Sequence, residues 1–86
     1  MTEKDQLNVF PNPTSGAITV SYSLNNKEED AVLQINDLLG RVVYQQSIHD
    51  AEGTLDLDLG AEPSGLYFIR MITNAKTEVR RLEITR

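Results

Sequence analysis

The sequence predicts an all-β chain folded as an antiparallel β-sandwich of about seven short strands. Apolar residues recur with a period of two along almost the whole chain, no window carries a helical stripe of convincing length, and turn signals punctuate the sequence roughly every 8–12 residues. The size agrees with one domain: 86 residues and 9.6 kDa. A folded chain of this mass would expose roughly 5,000 Å² against about 14,000 Å² when extended. That difference supports one thin core and leaves no room for a deep reaction chamber.

Leu7, Val9 and the adjacent Phe10 form a short apolar opening. In Pro11-Asn12-Pro13-Thr14-Ser15-Gly16 both prolines lack an N–H, so the stretch is a turn or a stiff extended edge. Asn12 precedes a proline and is biased to extended geometry, and Gly16 supplies a permissive φ. Residues 17–24 are the clearest strand: Ile18, Val20, Tyr22 and Leu24 share one face, and Ala17, Thr19, Ser21 and Ser23 the other. Asn25-Asn26-Lys27-Glu28-Glu29-Asp30 reads as a solvated turn, since burying its adjacent like charges would be costly.

Residues 31–37 form the next strand, with Ala31, Leu33 and Ile35 on one face. Asp37-Leu38-Leu39-Gly40 turns the chain, Gly40 being the permissive position, and an Asp37–Arg41 ion pair braces the turn. Leu38-Leu39 is more apolar than a solvated turn wants. The pair either plugs one end of the sandwich or touches a partner, and so small a patch favours the plug. Arg41 to Ile48 is a strand with Val42, Tyr44 and Ile48 on one parity and Val43, Gln45 and Ser47 on the other. Residues 49–53 form a second surface turn. Leu55, Leu57 and Leu59 then alternate with Asp56 and Asp58, a strand with one wet face. Ala61-Glu62-Pro63-Ser64-Gly65 turns again. Residues 66–73 are apolar on both parities except Arg70, which suits an interior strand, with the Arg70 head carried to solvent on its stem. Asn74-Ala75-Lys76 is a hairpin loop, and residues 77–85 close the fold with Leu82 and Ile84 alternating with Arg81 and Glu83. Two sheets about 10 Å apart would cover each other's apolar faces in an immunoglobulin-like sandwich. Greek-key and meander pairings both fit the short connections.

Composition excludes several functions. Lys and Arg total 8 against 13 Asp and Glu, a net charge of −5 with no basic cluster, so a nucleic acid is not an expected partner. No Cys is present, hence no disulfide, thiol nucleophile or cysteine metal site. The single imidazole, His49, sits beside Asp50 and two residues from Ser47, a pattern of almost no catalytic specificity that reads as an exposed turn histidine. Asp56, Asp58, Asp50 and Glu52 raise a calcium question, but their spacing matches no calcium loop and a solvated sheet face is the plainer reading. Gly16, Gly40, Gly53, Gly60 and Gly65 lie in separate turns and make no phosphate loop. Tyr22, Tyr44 and Tyr67 lie at core parity rather than on a sugar-binding platform. The residues thus imply neither catalysis nor a cofactor. Met1 to Gln6 is polar and is no signal peptide. Residues 1–6 read as a linker remnant or a cloning start, and 7–86 as the domain.

Three motifs in order carry the function further. They are Asn8-Val9-Phe10-Pro11-Asn12-Pro13-Thr14-Ser15-Gly16 with the strand that follows, Leu33-Gln34-Ile35-Asn36-Asp37-Leu38-Leu39-Gly40-Arg41-Val42-Val43, and Leu59 through Pro63-Ser64-Gly65-Leu66-Tyr67-Phe68-Ile69-Arg70, with a closing strand to Arg86. Together they resemble the C-terminal sorting domains of the type IX (Por) secretion system of Bacteroidetes, over residues 7–86. The resemblance implies a non-catalytic address at the end of a larger exported protein. An N-terminal passenger would reach the periplasm and be taken across the outer membrane by the secretion machinery. A sortase-like protease commonly removes such a domain, and the passenger is attached to the cell surface or released. It also implies that Pro11, Asn12, Pro13, Gly16, Asp37, Gly40, Arg41, Gly65, Tyr67, Arg70, Arg81 and Arg86 form the motif or recognition positions, with recognition expected around Gly65 to Arg70 and Thr77 to Arg86. Phe10 stands where the family frequently has tyrosine. An isologous β-edge dimer of the excised domain is a further expectation. The competing reading is a structural or carbohydrate-binding β-sandwich module of a modular secreted protein, which the same fold would serve.

Overall fold

The computed structural model describes residues 6–24, 30–74 and 76–86. Among them, seven strands form two antiparallel sheets: β1 (Gln6–Phe10), β2 (Ala17–Ser23), β3 (Ala31–Asp37), β4 (Val42–Ile48), β5 (Glu52–Asp58), β6 (Gly65–Ile72) and β7 (Thr77–Ile84). One sheet has the order β1-β2-β5 and the other β4-β3-β6-β7. Hairpin neighbours β1/β2, β3/β4 and β6/β7 stay within a sheet, and the remaining connections cross between sheets. The architecture is therefore an all-β sandwich consistent with the immunoglobulin-like class.

The period of two translates directly into burial. Ile18, Val20 and Tyr22 of β2 point inward against Leu33 and Ile35 of β3, Tyr67, Ile69 and Met71 of β6, and Leu82 and Ile84 of β7, all buried. β6 lies between β3 and β7, and this interior position explains its second apolar parity: Leu66, Phe68 and Ile72 are half-buried on the outer face. The Tyr67 hydroxyl donates to the Pro63 carbonyl at 2.6 Å. Its ring is thus buried while its polar tip pins the turn ahead of β6.

Four expectations are revised. β5 begins at Glu52, so Glu52 and Gly53 belong to a strand rather than to the preceding turn. Tyr22 packs over Gly53, where a Cβ would stand 2.8 Å from the Tyr22 hydroxyl. Val42 is 51% exposed instead of inward-facing. The pairing jumps from Ile35↔Tyr44 to Asn36↔Val42, a bulge that takes one extra residue into β4 and puts Val42 on the outer face. Leu38 and Leu39 do not plug the sandwich, being 65% and 87% exposed. Arg70 is half-buried, and its Nε donates to Asn36 Oδ1 at 3.1 Å rather than standing free in solvent. The polar turn expected at 25–30 lies, apart from Asp30, outside the described residues.

Of the three glycines at positive φ, two show contrasting surroundings. Gly40 has φ +87°, and open space surrounds the position of a Cβ. Gly16 has φ +143°, and a Cβ there would stand 2.9 Å from the Gly60 Cα. Gly16→Ala combines a backbone penalty with a collision against backbone and should cost about 2–4 kcal/mol, whereas Gly40→Ala carries the left-handed penalty alone, about 1–2 kcal/mol. Denaturant unfolding of both variants beside the parent checks the order and the gap.

Candidate functional site

The three motifs meet at one end of the sandwich. The register places Phe10, Ala17, Asp37, Val42, Asp58, Gly65 and Ile84 at the same end of their strands. Gln6, Ser23, Ala31, Ile48, Glu52, Ile72 and Thr77 mark the other. Pro11 to Gly16, Asp37 to Arg41, Gly60 to Gly65 and Arg86 therefore form one surface, although up to 75 positions separate Pro11 from Arg86 in a chain of 86.

Pro11 and Pro13 follow cis peptide bonds and carry Asn12 to the outer edge of β7. Asn12 Nδ2 donates to the Arg81 carbonyl at 2.7 Å, and Asn12 Oδ1 accepts from the Glu83 N–H at 3.0 Å. Thr14 continues the seal as a short parallel bridge to Ile84: its N–H donates to the Glu83 carbonyl at 2.9 Å, and its carbonyl accepts from the Thr85 N–H at 2.8 Å. The buried Thr14 hydroxyl donates to the Ala17 carbonyl and accepts from the Gly16 N–H. The sequence placed a turn here but contained no sign of its partner on β7.

Asp37 organises the second segment. Its Oδ1 accepts from the Leu39 and Arg41 N–H groups, each at 2.9 Å, and its Oδ2 from Arg41 Nε at 2.8 Å. The Gly40 N–H donates to the Asp37 carbonyl at 3.0 Å, and the Asp37 N–H to the Arg41 carbonyl at 3.0 Å. The expected Asp37–Arg41 pair is present. The Arg41 guanidinium, with its two neighbouring N–H donors, holds the Asp37 carboxyl below the usual carboxylate range, against a smaller opposing effect of desolvation. Buried Asn36 links this turn to β6, donating to the Gly40 carbonyl at 3.3 Å and accepting from Arg70.

Arg86 ties the third segment. Its Nη2 donates to the Leu59 carbonyl at 2.8 Å, and its Nη1 to the Glu62 carbonyl. Burial raises the Tyr67 hydroxyl above its ordinary value, with the nearby Glu62 and Asp37 charges adding to the effect, so it stays a neutral donor to Pro63. Of the positions singled out from sequence, Pro11, Asn12, Pro13, Gly16, Asp37, Gly40, Arg41, Gly65, Tyr67 and Arg86 come together at this end. Arg70 and Arg81 lie instead on the outer face of β6 and β7, on strands paired Arg70↔Val79 and Phe68↔Arg81. Thr14 and Asn36 were missed, because a threonine in a turn and an asparagine at an outward strand position carry no local signal.

The residues questioned for chemistry do not assemble. His49 lies at the opposite end and faces Asp30 Oδ1 at 3.2 Å, not Asp50, and it makes no hydrogen bond to Ser47. Asp56 accepts from the Thr19 hydroxyl and Asp58 from the Gly60 N–H. Among the described residues no cluster of three His, Asp or Glu side chains could hold a metal ion. Tyr22 and Tyr67 are buried and Tyr44 is half-buried, with its hydroxyl bonded to Gln46.

A comparison with curated proteins returned no match. A family model described as a secretion system C-terminal sorting domain matches residues 8–85. The chain belongs to that family of type IX secretion sorting domains. Membership implies a passenger, the secretion machinery, and export to the cell surface or beyond.

The Asp37 network has a signed pH consequence. Its folded pKa lies below the unfolded value, so its contribution to stability is complete above about pH 4 and is lost as pH falls through the folded pKa. The stability difference between the parent and Asp37→Asn should be largest near neutrality and narrow below about pH 4. Unfolding midpoints of both proteins from pH 7 to pH 2.5 measure it.

Proposed function

We propose that this sorting domain is a non-catalytic address that carries a larger N-terminal passenger across the outer membrane through the type IX machinery. A sortase-like protease then cuts ahead of β1, within or beside residues 1–6, and the passenger is attached to the surface or released. The domain proper would be residues 7–86. The observation that carries the reading is the meeting of three sequence-distant motifs at the end of the sandwich opposite Gln6, in a chain the family matches over residues 8–85. A passenger joined ahead of β1 would sit at the Gln6 end and leave the motif end clear for a receptor.

In this reading the motif residues have two roles. Asn12, Gly16, Gly65, Tyr67 and Arg86, with Pro11 and Pro13, shape the surface through backbone contacts. Gly40 and Arg41, set by Asp37, and the outward strands bearing Arg70 and Arg81 offer it to the machinery. Folded shape suits an address, because a receptor can then distinguish a finished passenger's tail from an unfolded chain. Among the described residues the outer edges of β4 and β5 have no neighbouring strand in their sheets. A second copy of an excised domain would pair weakly there.

The reading is tested with a periplasmically targeted fluorescent passenger fused ahead of residues 1–86. It is expressed in a host with a working type IX system and in an otherwise identical host lacking the translocon. Surface or medium fluorescence only in the intact host is the expected result. Folded passenger retained in the periplasm of both hosts overturns it.

A further inference from the structure

We propose that the Leu38–Leu39 turn is a preformed peg that seats in a concave apolar pocket, rimmed by a carboxylate, on a folded protein of the secretion machinery. The proposal rests on the sorting reading above and adds the contact by which the domain is held. Leu38 is 65% and Leu39 87% exposed, and Val42, three residues further on, is 51% exposed. Three of the large apolar side chains left in water thus belong to one turn and the strand that follows it. The bulge between Ile35 and Asn36 is what turns Val42 outward.

The turn is rigid although it projects. Asp37 accepts from the Leu39 and Arg41 N–H groups and from Arg41 Nε, and the Asp37 and Gly40 backbone groups complete the turn. Asn36 fixes its base to β6 through Arg70. A partner would therefore lose little ordering entropy on receiving the leucines. A few side chains seated in a desolvated pocket carry most of an interface's energy, and although leucine is not the commonest of them, here two adjacent leucines would seat together.

Charge selects the partner. The Arg41 side chain is 72% exposed, whereas its carboxylate partner Asp37 is 14% exposed. The Arg41 Nε meets that carboxylate, and Glu62 is a second carboxylate acting on the guanidinium. The more exposed charge of the pair beside the leucines is thus the guanidinium, on a chain of net charge −5. A carboxylate at the pocket rim complements it. A bilayer does not fit as well: two leucines and one paired arginine are a weak anchor, and the net negative charge is repelled by an anionic surface.

The test uses the passenger fusion in the two hosts. The variants are Leu38→Ser/Leu39→Ser and Leu38→Met/Leu39→Met. Thermal unfolding of each purified fusion monitors the fold. The serine pair should export about tenfold less or worse at an unchanged unfolding temperature, while the methionine pair exports normally. Arg41→Glu should slow export while Arg41→Lys largely preserves it. Parent-like export by the serine pair, with translocon-dependent export of the parent, overturns the peg and leaves the sorting reading standing. Retention of the parent in both hosts overturns the sorting reading and the peg with it. Binding of the parent fusion to phosphatidylethanolamine–phosphatidylglycerol vesicles that the serine pair abolishes assigns the leucines to lipid and overturns a protein pocket. A parent dimer that the serine pair converts to monomer assigns them to a second copy and overturns it equally.

Discussion

The amide of Asn12 takes the place that a further strand would hold beside β7, and much of the motif end is arranged around that substitution. An edge strand presents a row of unpaired backbone groups. Here the Arg81 carbonyl and Glu83 N–H are met by one side chain, and the Glu83 carbonyl and Thr85 N–H by the backbone of Thr14. With the segment held there, the Thr14 hydroxyl sets the entry to β2, and Gly16 is brought onto Gly60. The carbonyls of Leu59, just before Gly60, and of Glu62, two residues after it, are in turn taken by Arg86. At this end the two sheets are joined by polar contacts between backbone groups as well as by the apolar core.

Strand identity was legible in the sequence because it depends on local alternation. Ile18, Val20 and Tyr22, or Leu33 and Ile35, declare a buried face whatever lies opposite. Tertiary context decided the rest. Val42 has the parity of a core residue, and only the bulge in its pairing with β3 sends it outward. Leu38 and Leu39 have the composition of a plug, yet the direction of the turn is set by Asp37 and Gly40, neither of which reports where the next layer ends. The candidate site was legible as a set of motif positions and not as a place. Asn12 finds Arg81 and Glu83 across 69 and 71 positions, and Arg86 finds Leu59 across 27. No local pattern encodes such distances, and only the family resemblance named these positions together.

The two outer faces of the sandwich differ in kind. That of β1-β2-β5 presents Thr19, Ser21, Ser23, Glu52, Thr54, Asp56 and Asp58. Acidic side chains along β5 deter a foreign strand from its open edge, because a new neighbour would have to accommodate them. The face of β4-β3-β6-β7 presents half-buried Val32, Leu66, Phe68 and Ile72 around Arg70. Arg70 is anchored to Asn36 and so to the Asp37 turn, which couples this face mechanically to the peg.

The placement of Gln6 and Arg86 at opposite ends has a consequence for force. β1 runs from Gln6 toward the motif end, and β7 runs beside it in the same direction to Ile84. A pull between a load ahead of β1 and a grip on the motif end would act along the strands. The hydrogen bonds joining β1 to β2 lie across that direction, so the whole row is sheared together instead of being peeled one bond at a time. A domain strung in this way can transmit tension to what it tows while keeping its own shape.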